Sequence, residues 1–322
     1  MHKEKFSFSK VKSNSDWNYF LNGVTNKSLF SSCDYLNLIG DKYHTWFIKK
    51  GEEIKAGFYC SVSDDEKKII ENNFLIYSGF VFKNFNQTKD AKKNHQKFQI
   101  IEFIANSLPE IYDKINFSCS PDIIDVRPFQ WFNYNSNRKK YEIDIRYTSY
   151  INVNNYDSSN EFNNTLFNNM DTVRRYSVRE GIKDKFSILE SDNSNKILEF
   201  YEKTLLNQGV DTQKRKLVIM ENIITNLIAL NKGKLFEIRD SLNKLLYCVF
   251  YAWDENKAYY LFGAGGEETK SWQTTIATWE IIKYFYSNKI PIIDLEGVNS
   301  PKRGWFKLSF GGKLIPYYRI SI

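Results

Sequence analysis

Cysteine, histidine, glycine and proline are all scarce in this chain of 322 residues. The four cysteines lie far apart and contain no C-x-x-C pair: Cys33, Cys60, Cys119 and Cys248. The three histidines are not paired at metal-ligand spacing: His2, His44 and His95. These absences argue against a zinc site and against a disulfide framework. With only 15 glycines and 6 prolines, each glycine cluster becomes informative.

Long hydrophobic runs are also lacking. The N-terminal sequence MHKEKFSFSKVKSNSDW has no apolar core of the kind that export signals require. The longest apolar stretch, LLYCVFYAW from Leu245, is far shorter than the ~20 residues that span a bilayer. We therefore expect a soluble cytoplasmic protein without metal, in a reducing compartment.

Aromatic residues are abundant: Phe 25, Tyr 21 and Trp 7. Together with 42% hydrophobic and 26% charged residues they indicate a folded globular protein and exclude disorder, collagen and coiled coil. The length favours two domains. The net charge of +7 suits an anionic ligand, but it is smaller than the dense basic charge of a dedicated nucleic-acid binder.

The polar run NNYDSSN, residues 154–160, is the best candidate for a domain boundary. It divides the chain into residues 1–155 and 156–322. Each part shows the order hairpin, strand, helix, strand, short helix, strand, which predicts a tandem duplication of one α/β unit. Within this order we expect a hairpin with its turn at Lys50-Gly51-Glu52, one strand over FLIYSGFVF, one helix from Glu161 to Gly181 and a short helix from Gly304 to Phe310.

Two segments of the second half carry candidate chemistry. In YYLFGAGGEETKSWQTT a strand runs through Gly263, Gly265 and Gly266 into a helix, where backbone N–H groups can bind an anion. In PIIDLEG, Asp294 and Glu296 alternate along one predicted strand and therefore share a face. A simple turn and a structural salt-bridge cluster are the respective alternatives.

Two further segments contain candidate binding residues: one combines arginines with aromatic residues, and the other has several arginines on one helix. DVRPFQWFNY and the following strand bring together Arg127, Trp131, Tyr134 and Arg146, which suits a base and a diphosphate. The alternative is an aromatic core with surface arginines. In MDTVRRYSVREG, Arg175 and Arg179 occupy one helical face and can reach the same anion, unless this face is merely solvated.

The segments MDTVRRYSVREG, YLFGAGGEETKSWQTTIATWEII, IDLEG and SPKRGWFKLSFGG resemble the tandem Gcn5-related acyltransferases, or GNAT proteins. This group includes the FemABX-like peptidoglycan-bridge aminoacyltransferases and the acyl-CoA-dependent sugar N-acyltransferases. The resemblance is most specific from Tyr259 to Gly312 and looser in the first half. It implies two GNAT-like domains, each a mixed sheet flanked by helices, that share a cleft. Residues 1–155 would bind the acceptor and residues 156–322 the acyl donor.

The resemblance also implies roles for individual residues. Glu296 would be the base, with Asp294 second, and Lys307 or a backbone N–H would stabilise the oxyanion. Coenzyme A would lie along Phe262, Gly263, Ala264, Gly265 and Gly266, and along the turn from Glu267 to Thr274, with Phe306 beside the reacting centre. Bulky side chains at Gly265 or Gly266 should block it while sparing the fold. Acceptor binding falls to Arg127, Trp131, Tyr134, Arg146, Tyr77 and Arg175.

The leading hypothesis is an acyl-CoA-dependent N-acyltransferase that acts on a nucleotide-linked amino sugar. By analogy with relatives of this type we expect a dTDP-linked sugar for surface polysaccharide, such as the O-antigen of lipopolysaccharide. The enzyme is expected to be a monomer with no nucleic-acid partner. The alternatives are an aminoacyl-tRNA-dependent peptidoglycan-bridge transferase and a non-catalytic nucleotide-binding protein.

Overall fold

The computed structural model describes residues 5–85, 89–183, 186–207, 214–266 and 269–322. Contacts between residues divide the chain into two units. The first is Met1–Arg146 with Pro316–Ile322, and the second is Tyr147–Ile315. The chain therefore passes between units at Arg146, inside a strand, whereas the sequence placed the division at residue 155.

The first unit is built on a four-stranded antiparallel sheet in the order β1-β2-β3-β4. Gly51 has a φ of +60° in the turn between β2 and β3, which confirms the predicted hairpin. The predicted strand FLIYSGFVF is shorter than expected, because only its last four residues form β4. The elements are β1 (Phe6–Lys10), α1 (Asn14–Leu21), α2 (Cys33–Leu36), β2 (Lys42–Lys50), β3 (Glu53–Val62), β4 (Gly79–Phe82), α3 (Asp90–Ile111), β5 (Asn116–Ser118), α4 (Arg127–Trp131) and the start of β6 (Glu142–Asn152).

The second unit is built on a mixed sheet in which β11 lies between β6 and β10. The strand β11 pairs in parallel with β10 and antiparallel with the end of β6. The elements are α5 (Thr165–Asn169), α6 (Thr172–Lys183), β7 (Ser187–Ser191), α7 (Asn195–Asn207), α8 (Lys214–Ala229), β8 (Gly233–Arg239), β9 (Leu245–Trp253), β10 (Lys257–Gly265), α9 (Ser271–Ser287), β11 (Ile292–Asp294), α10 (Pro301–Leu308) and β12 (Lys313–Ser321).

Three predictions about elements were wrong in detail. The helix expected from Glu161 to Gly181 is two helices, because Met170 adopts an extended backbone conformation between α5 and α6. The helix α10 begins at Pro301, before the expected start. The short strands β1 and β7 were not predicted.

The duplicated order of elements is confirmed. The series β2, β3, β4, α3, β5, α4, β6 recurs as β8, β9, β10, α9, β11, α10, β12. The last strand of each series pairs with the fourth strand of the other series. Residues Arg319–Ser321 of β12 pair with β5 in the first unit, and the end of β6 pairs with β11 in the second.

Each unit has its own apolar core, built from aliphatic and large aromatic side chains. Phe58, Phe80 and Phe117 lie at the centre of the first core, and Trp279, Phe285 and Ile293 at that of the second. All four cysteines are buried and free. No helix within the described residues is long and apolar enough to cross a membrane.

Candidate active site

The second unit contains a point where two parallel strands separate. The pairing of β10 with β11 covers three residues and ends at Tyr259 and Asp294. Because β10 continues to Gly265, its last residues leave β11 at this point. Glu296 lies two residues after Asp294, just beyond the end of β11.

Glu296 does not lie on the strand with Asp294, and the prediction that the two share one strand face was wrong. The strand ends at Asp294, and Glu296 adopts a left-handed backbone conformation with a φ of +52°. Asp294 Oδ1 accepts a hydrogen bond from the Glu296 N–H at 2.9 Å and another from the Thr148 hydroxyl. Asp294 thus holds the backbone that presents Glu296, and its role as a second base stays a prediction.

The side chain of Glu296 is 6% exposed, and its Oε1 has no hydrogen-bond partner among the described residues. Burial, and then the nearby Asp294 carboxylate, raise the pKa of Glu296 well above its usual value, while Lys307 opposes the shift. A buried carboxyl oxygen without a hydrogen-bond partner, and a backbone conformation unusual for glutamate, each cost free energy. Such a combination marks a candidate functional group.

Lys307 lies beside Glu296. Its Nζ donates to the Glu296 carbonyl oxygen at 3.2 Å and lies 4.7 Å from the centroid of the Tyr260 ring. Burial lowers the pKa of Lys307 to about 8. The helix α10 is held close to this segment, since a Cβ on Gly304 would lie 2.5 Å from the Val298 carbonyl oxygen. Glu296, Asp294 and Lys307 are therefore brought together as predicted.

Two tyrosines near the same point were missed by the sequence analysis. The hydroxyls of Tyr247 on β9 and Tyr260 on β10 are 2.7 Å apart. Gly263 makes room for them, because a Cβ at this position would lie 1.8 Å from the Tyr260 hydroxyl oxygen. The pairing of β9 with β10 also shifts register between Tyr260 and Phe262. The repeated tyrosines of YCVFY and AYYLF were the available signal.

The predicted donor segment forms the end of β10 and the start of α9. Phe262 and Ala264 are buried. At the start of α9, whose first turn contains Thr274, the N-cap residue Lys270 makes no side-chain cap bond, and its backbone N–H donates to Gln273 Oε1 at 2.8 Å. Glu267 and Glu268, part of the predicted turn, lie outside the described residues.

The two glycines at the end of this segment differ in the space around them. A Cβ on Gly265 would lie 2.6 Å from the Thr269 hydroxyl oxygen, which itself bonds to the Leu246 carbonyl. A Cβ on Gly266 would meet Phe200 only at an ordinary 3.5 Å. The expectation that both positions tolerate a side chain is therefore wrong for Gly265.

Arg174 on α6 was not among the site residues predicted from the sequence. Arg174 donates from Nε to the Ser309 hydroxyl at 2.7 Å and from Nη1 to the Thr275 hydroxyl at 2.8 Å. Its guanidinium lies 4.5 Å from the ring centroid of Phe306, a predicted site residue. This one side chain therefore connects α6 with α9 and α10.

The two arginines that were selected point to different neighbours. Arg175 donates to the Thr172 hydroxyl at 3.1 Å. Arg179 lies over the Phe167 ring at 5.1 Å. Binding of one anion by both Arg175 and Arg179 stays a prediction.

In the first unit, Arg127 and Trp131 form a small surface cluster. The Arg127 guanidinium forms a two-pronged ion pair with Asp125, at 2.8 and 2.7 Å, and lies 5.4 Å from the Trp131 ring. Trp131 is 51% exposed and Tyr134 is 68% exposed. These aromatic residues are therefore on the surface, where a planar ligand can reach them.

The other predicted acceptor residues lie apart from this cluster. Tyr77 is 2% exposed and packs edge-on against Phe30 and Tyr317, which makes it a core residue. Arg146 pairs with Asp144 at 3.6 Å.

No family model matches this chain, and no curated protein matches it. Solved structures do match over nearly the whole length. FemX has a TM-score of 0.66 at 14% identity, with 97% of this chain and 96% of FemX covered. A tandem GNAT protein from the clavulanic acid biosynthesis pathway has a TM-score of 0.53 at 6% identity, with 98% of each chain covered.

A third match is the C-terminal domain of a proposed lysylphosphatidylglycerol synthetase from Agrobacterium fabrum. Its TM-score is 0.57 at 11% identity, with 96% of this chain and 92% of that chain covered. The chain therefore has the tandem GNAT-type α/β fold that its sequence suggested.

Proposed function

We propose that this protein is an acyltransferase that moves an acyl group from an activated donor to an amine, with the chemistry in the second unit. The observation that carries the proposal is Glu296. Its carboxyl is buried, unpartnered at Oε1 and next to Lys307, at the point where β10 and β11 separate. A base with a raised pKa is suited to accept a proton from an attacking amine near neutral pH.

In the proposed reaction, the amine nitrogen forms a bond to the acyl carbon, and the bond from that carbon to the leaving group breaks. Glu296 Oε1 takes the proton that the amine loses, and a proton is returned to the leaving group. Lys307, as a cation, stabilises the oxyanion that forms between these steps. No covalent intermediate on the enzyme is needed, and Cys248 is buried with a raised pKa of about 12.

We propose acyl-CoA as the donor. Acyl-CoA would supply a thioester carbonyl, with CoA thiol as the leaving group, and the segment from Phe262 to Gly266 with the first turn of α9 would hold it. The fit rests on two features: a Cβ on Gly266 would meet only ordinary contacts, and the side chain of the N-cap residue Lys270 makes no cap bond to the first turn of α9. Free N–H groups at a helix start bind phosphate.

We propose a nucleotide-linked amino sugar, of the dTDP type, as the acceptor, in a cytoplasmic pathway to surface polysaccharide. Trp131 and Tyr134 offer exposed aromatic faces for a base, and loss of one stacked aromatic typically costs ~1–3 kcal/mol of binding. The Trp131→Ala variant should therefore bind dTDP more weakly with an unchanged melting temperature. A large drop in that temperature would instead make Trp131 a structural residue.

A second candidate is transfer of an aminoacyl group, with aminoacyl-tRNA as donor. The likeness to FemX and to the proposed lysylphosphatidylglycerol synthetase favours it. The chemistry at Glu296 would be the same, since an ester carbonyl replaces the thioester.

A panel of ligands separates the candidates. The melting temperature is measured with CoA, acetyl-CoA, dTDP, UDP and tRNA, since a ligand that binds only the folded state raises it. Stabilisation by CoA and dTDP, followed by amide product from acetyl-CoA and a dTDP-amino sugar, supports the first candidate. Stabilisation by tRNA alone supports the second. A nucleotide that binds without turnover from either donor would indicate a non-catalytic binding protein and contradict the proposal.

A further inference from the structure

The first unit contains a polar cleft of about 550 Å³ that has no part in the proposed reaction. Lys10, Lys42, His44 and Glu66 line it, on β1, β2 and the turn that follows β3. Three of these four side chains are hydrogen-bond donors, and all three converge on the fourth.

The carboxylate of Glu66 receives these donors on both oxygens. His44 Nε2 lies 2.8 Å from Oε2, Lys10 Nζ lies 3.4 Å from the same oxygen, and Lys42 Nζ lies 3.2 Å from Oε1. Lys10 Nζ is also only 3.0 Å from His44 Nε2. Lys10 Nζ, His44 Nε2 and Glu66 Oε2 therefore form a compact triangle in which every pair is within 3.4 Å.

A buried network fixes the direction of the His44 donor. His44 Nδ1 lies 2.8 Å from the Tyr112 hydroxyl, which accepts a hydrogen bond from the Trp46 indole N–H at 3.0 Å. Because a carboxylate only accepts, Nε2 carries the ring proton in the contact with Glu66. Nδ1 then accepts from the Tyr112 hydroxyl. The imidazole is 8% exposed and is thereby held with its N–H directed at the anion.

Glu66 itself is poorly suited to a purely structural role at this place. Glu66 lies in a turn with a φ of +59°, a left-handed backbone conformation that is unfavourable for glutamate. Its side chain is 41% exposed. Exposed ion pairs contribute little to stability. The other acid in the cleft wall, Asp41, accepts a hydrogen bond from the Asn72 amide at 2.7 Å.

We propose that this cleft is a binding site for an anionic group, a carboxylate or a phosphate of a ligand, and that Glu66 occupies the anion position when the ligand is absent. An incoming anion takes the three donors from Glu66, whose side chain turns out to solvent. The ordered His44 and the two lysines are then a preformed cradle.

The test removes the internal carboxylate without straining the turn. Glycine accepts a positive φ, so Glu66→Gly opens the site, and Glu66→Gln keeps the shape without the charge. Glu53→Gln is the charge-matched control, since Glu53 pairs with Lys55 elsewhere in the same unit. Binding of inorganic phosphate and of acetate to the full chain is measured by isothermal titration calorimetry at low salt.

We expect Glu66→Gly to bind at least one of these anions at least 10-fold more tightly than the unmodified chain and the control. A gain for phosphate alone identifies a phosphate ligand, and a gain for acetate alone a carboxylate ligand. Adding Lys42→Ala to Glu66→Gly should abolish the gain. Unchanged binding in both Glu66 variants, or a gain that survives Lys42→Ala, would overturn the proposal. The measurement involves no acyl transfer, so its failure leaves the proposed function untouched.

Discussion

Glu296 shows how one residue can be expensive for folding and useful for chemistry. Its carboxyl is buried with Oε1 unpartnered, and its backbone is left-handed. Asp294 fixes this conformation through the Glu296 N–H, at 2.9 Å, and its charge makes ionisation of Glu296 harder. The charge of Asp294 thus favours a Glu296 carboxyl that takes up a proton, and the hydrogen bond holds that carboxyl in place.

Replacing Glu296 by Gln should therefore lower turnover by ~10²–10⁴-fold, with KM little changed, because the shape is kept and the base is lost. The measurement is kcat and KM for acyl transfer once the substrates are known. Glu280→Gln is the matched control, since Glu280 on α9 bonds Lys283 at 2.9 Å. Nearly full turnover in Glu296→Gln would reduce Glu296 to a structural residue.

The pH dependence of turnover tests Lys307. As pH rises, the rate should first increase while Glu296 loses its proton, and then fall above about pH 8 as Lys307 loses its charge. Lys307→Met should lower turnover and remove the alkaline decline, because the titrating cation is gone. An alkaline decline that persists in Lys307→Met would assign it to another group.

At the scale of elements, the three glycines at the end of β10 and just after it have different surroundings. Gly263 clears space for the Tyr247 and Tyr260 hydroxyls, Gly265 packs against Thr269, and a Cβ on Gly266 would meet Phe200 at an ordinary contact distance of 3.5 Å. Of these three positions, only Gly266 accepts a Cβ without a close contact, so a substitution there tests ligand binding with the fold kept.

Gly266→Val should weaken CoA binding while leaving the melting temperature nearly unchanged, because the added side chain has room but narrows the approach to the backbone. Gly263→Ala should instead destabilise the fold by about 1–3 kcal/mol through overpacking. Calorimetric titration with CoA and thermal unfolding measure the two effects. Unchanged CoA affinity in Gly266→Val would remove this loop from the donor site.

At the scale of the whole molecule, the final strand of the chain belongs to two units. Lys313–Ile315 lie in the second unit, and Pro316–Ile322 in the first, where Arg319–Ser321 pair with β5. Ile320 is fully buried in the first core.

Ile320→Ala should therefore destabilise the first unit by about 2–5 kcal/mol, although it lies near the C-terminus. Amide hydrogen exchange should accelerate at Phe117 on β5 and much less at Trp279 in the second core. Leu314→Ala is the control on the same strand, since Leu314 is 46% exposed. A larger acceleration of exchange at Trp279 than at Phe117, relative to the unmodified chain, would contradict the assignment of this strand.

Local pattern determined much of what the sequence revealed. The alternation of polar and apolar residues, the glycine at residue 51 and the order of elements were enough to predict two α/β units and the hairpin β2–β3. The grouping of Glu296 and Lys307 also followed from sequence, through motifs that resemble a known family. Trp131 and Tyr134 were selected, but their exposure was not predictable from their types.

Tertiary structure decided what depends on residues distant in the chain. The exchange of final strands between the two series depends on pairing across more than a hundred residues, which no local periodicity encodes. The same holds for Arg174, which reaches Thr275 and Ser309, and for the donors around Glu66, which come from two separate strands, β1 and β2. The left-handed backbone of Glu296 arises from the hydrogen bond to Asp294 and the tight packing of α10, so only the folded chain shows where its carboxyl lies.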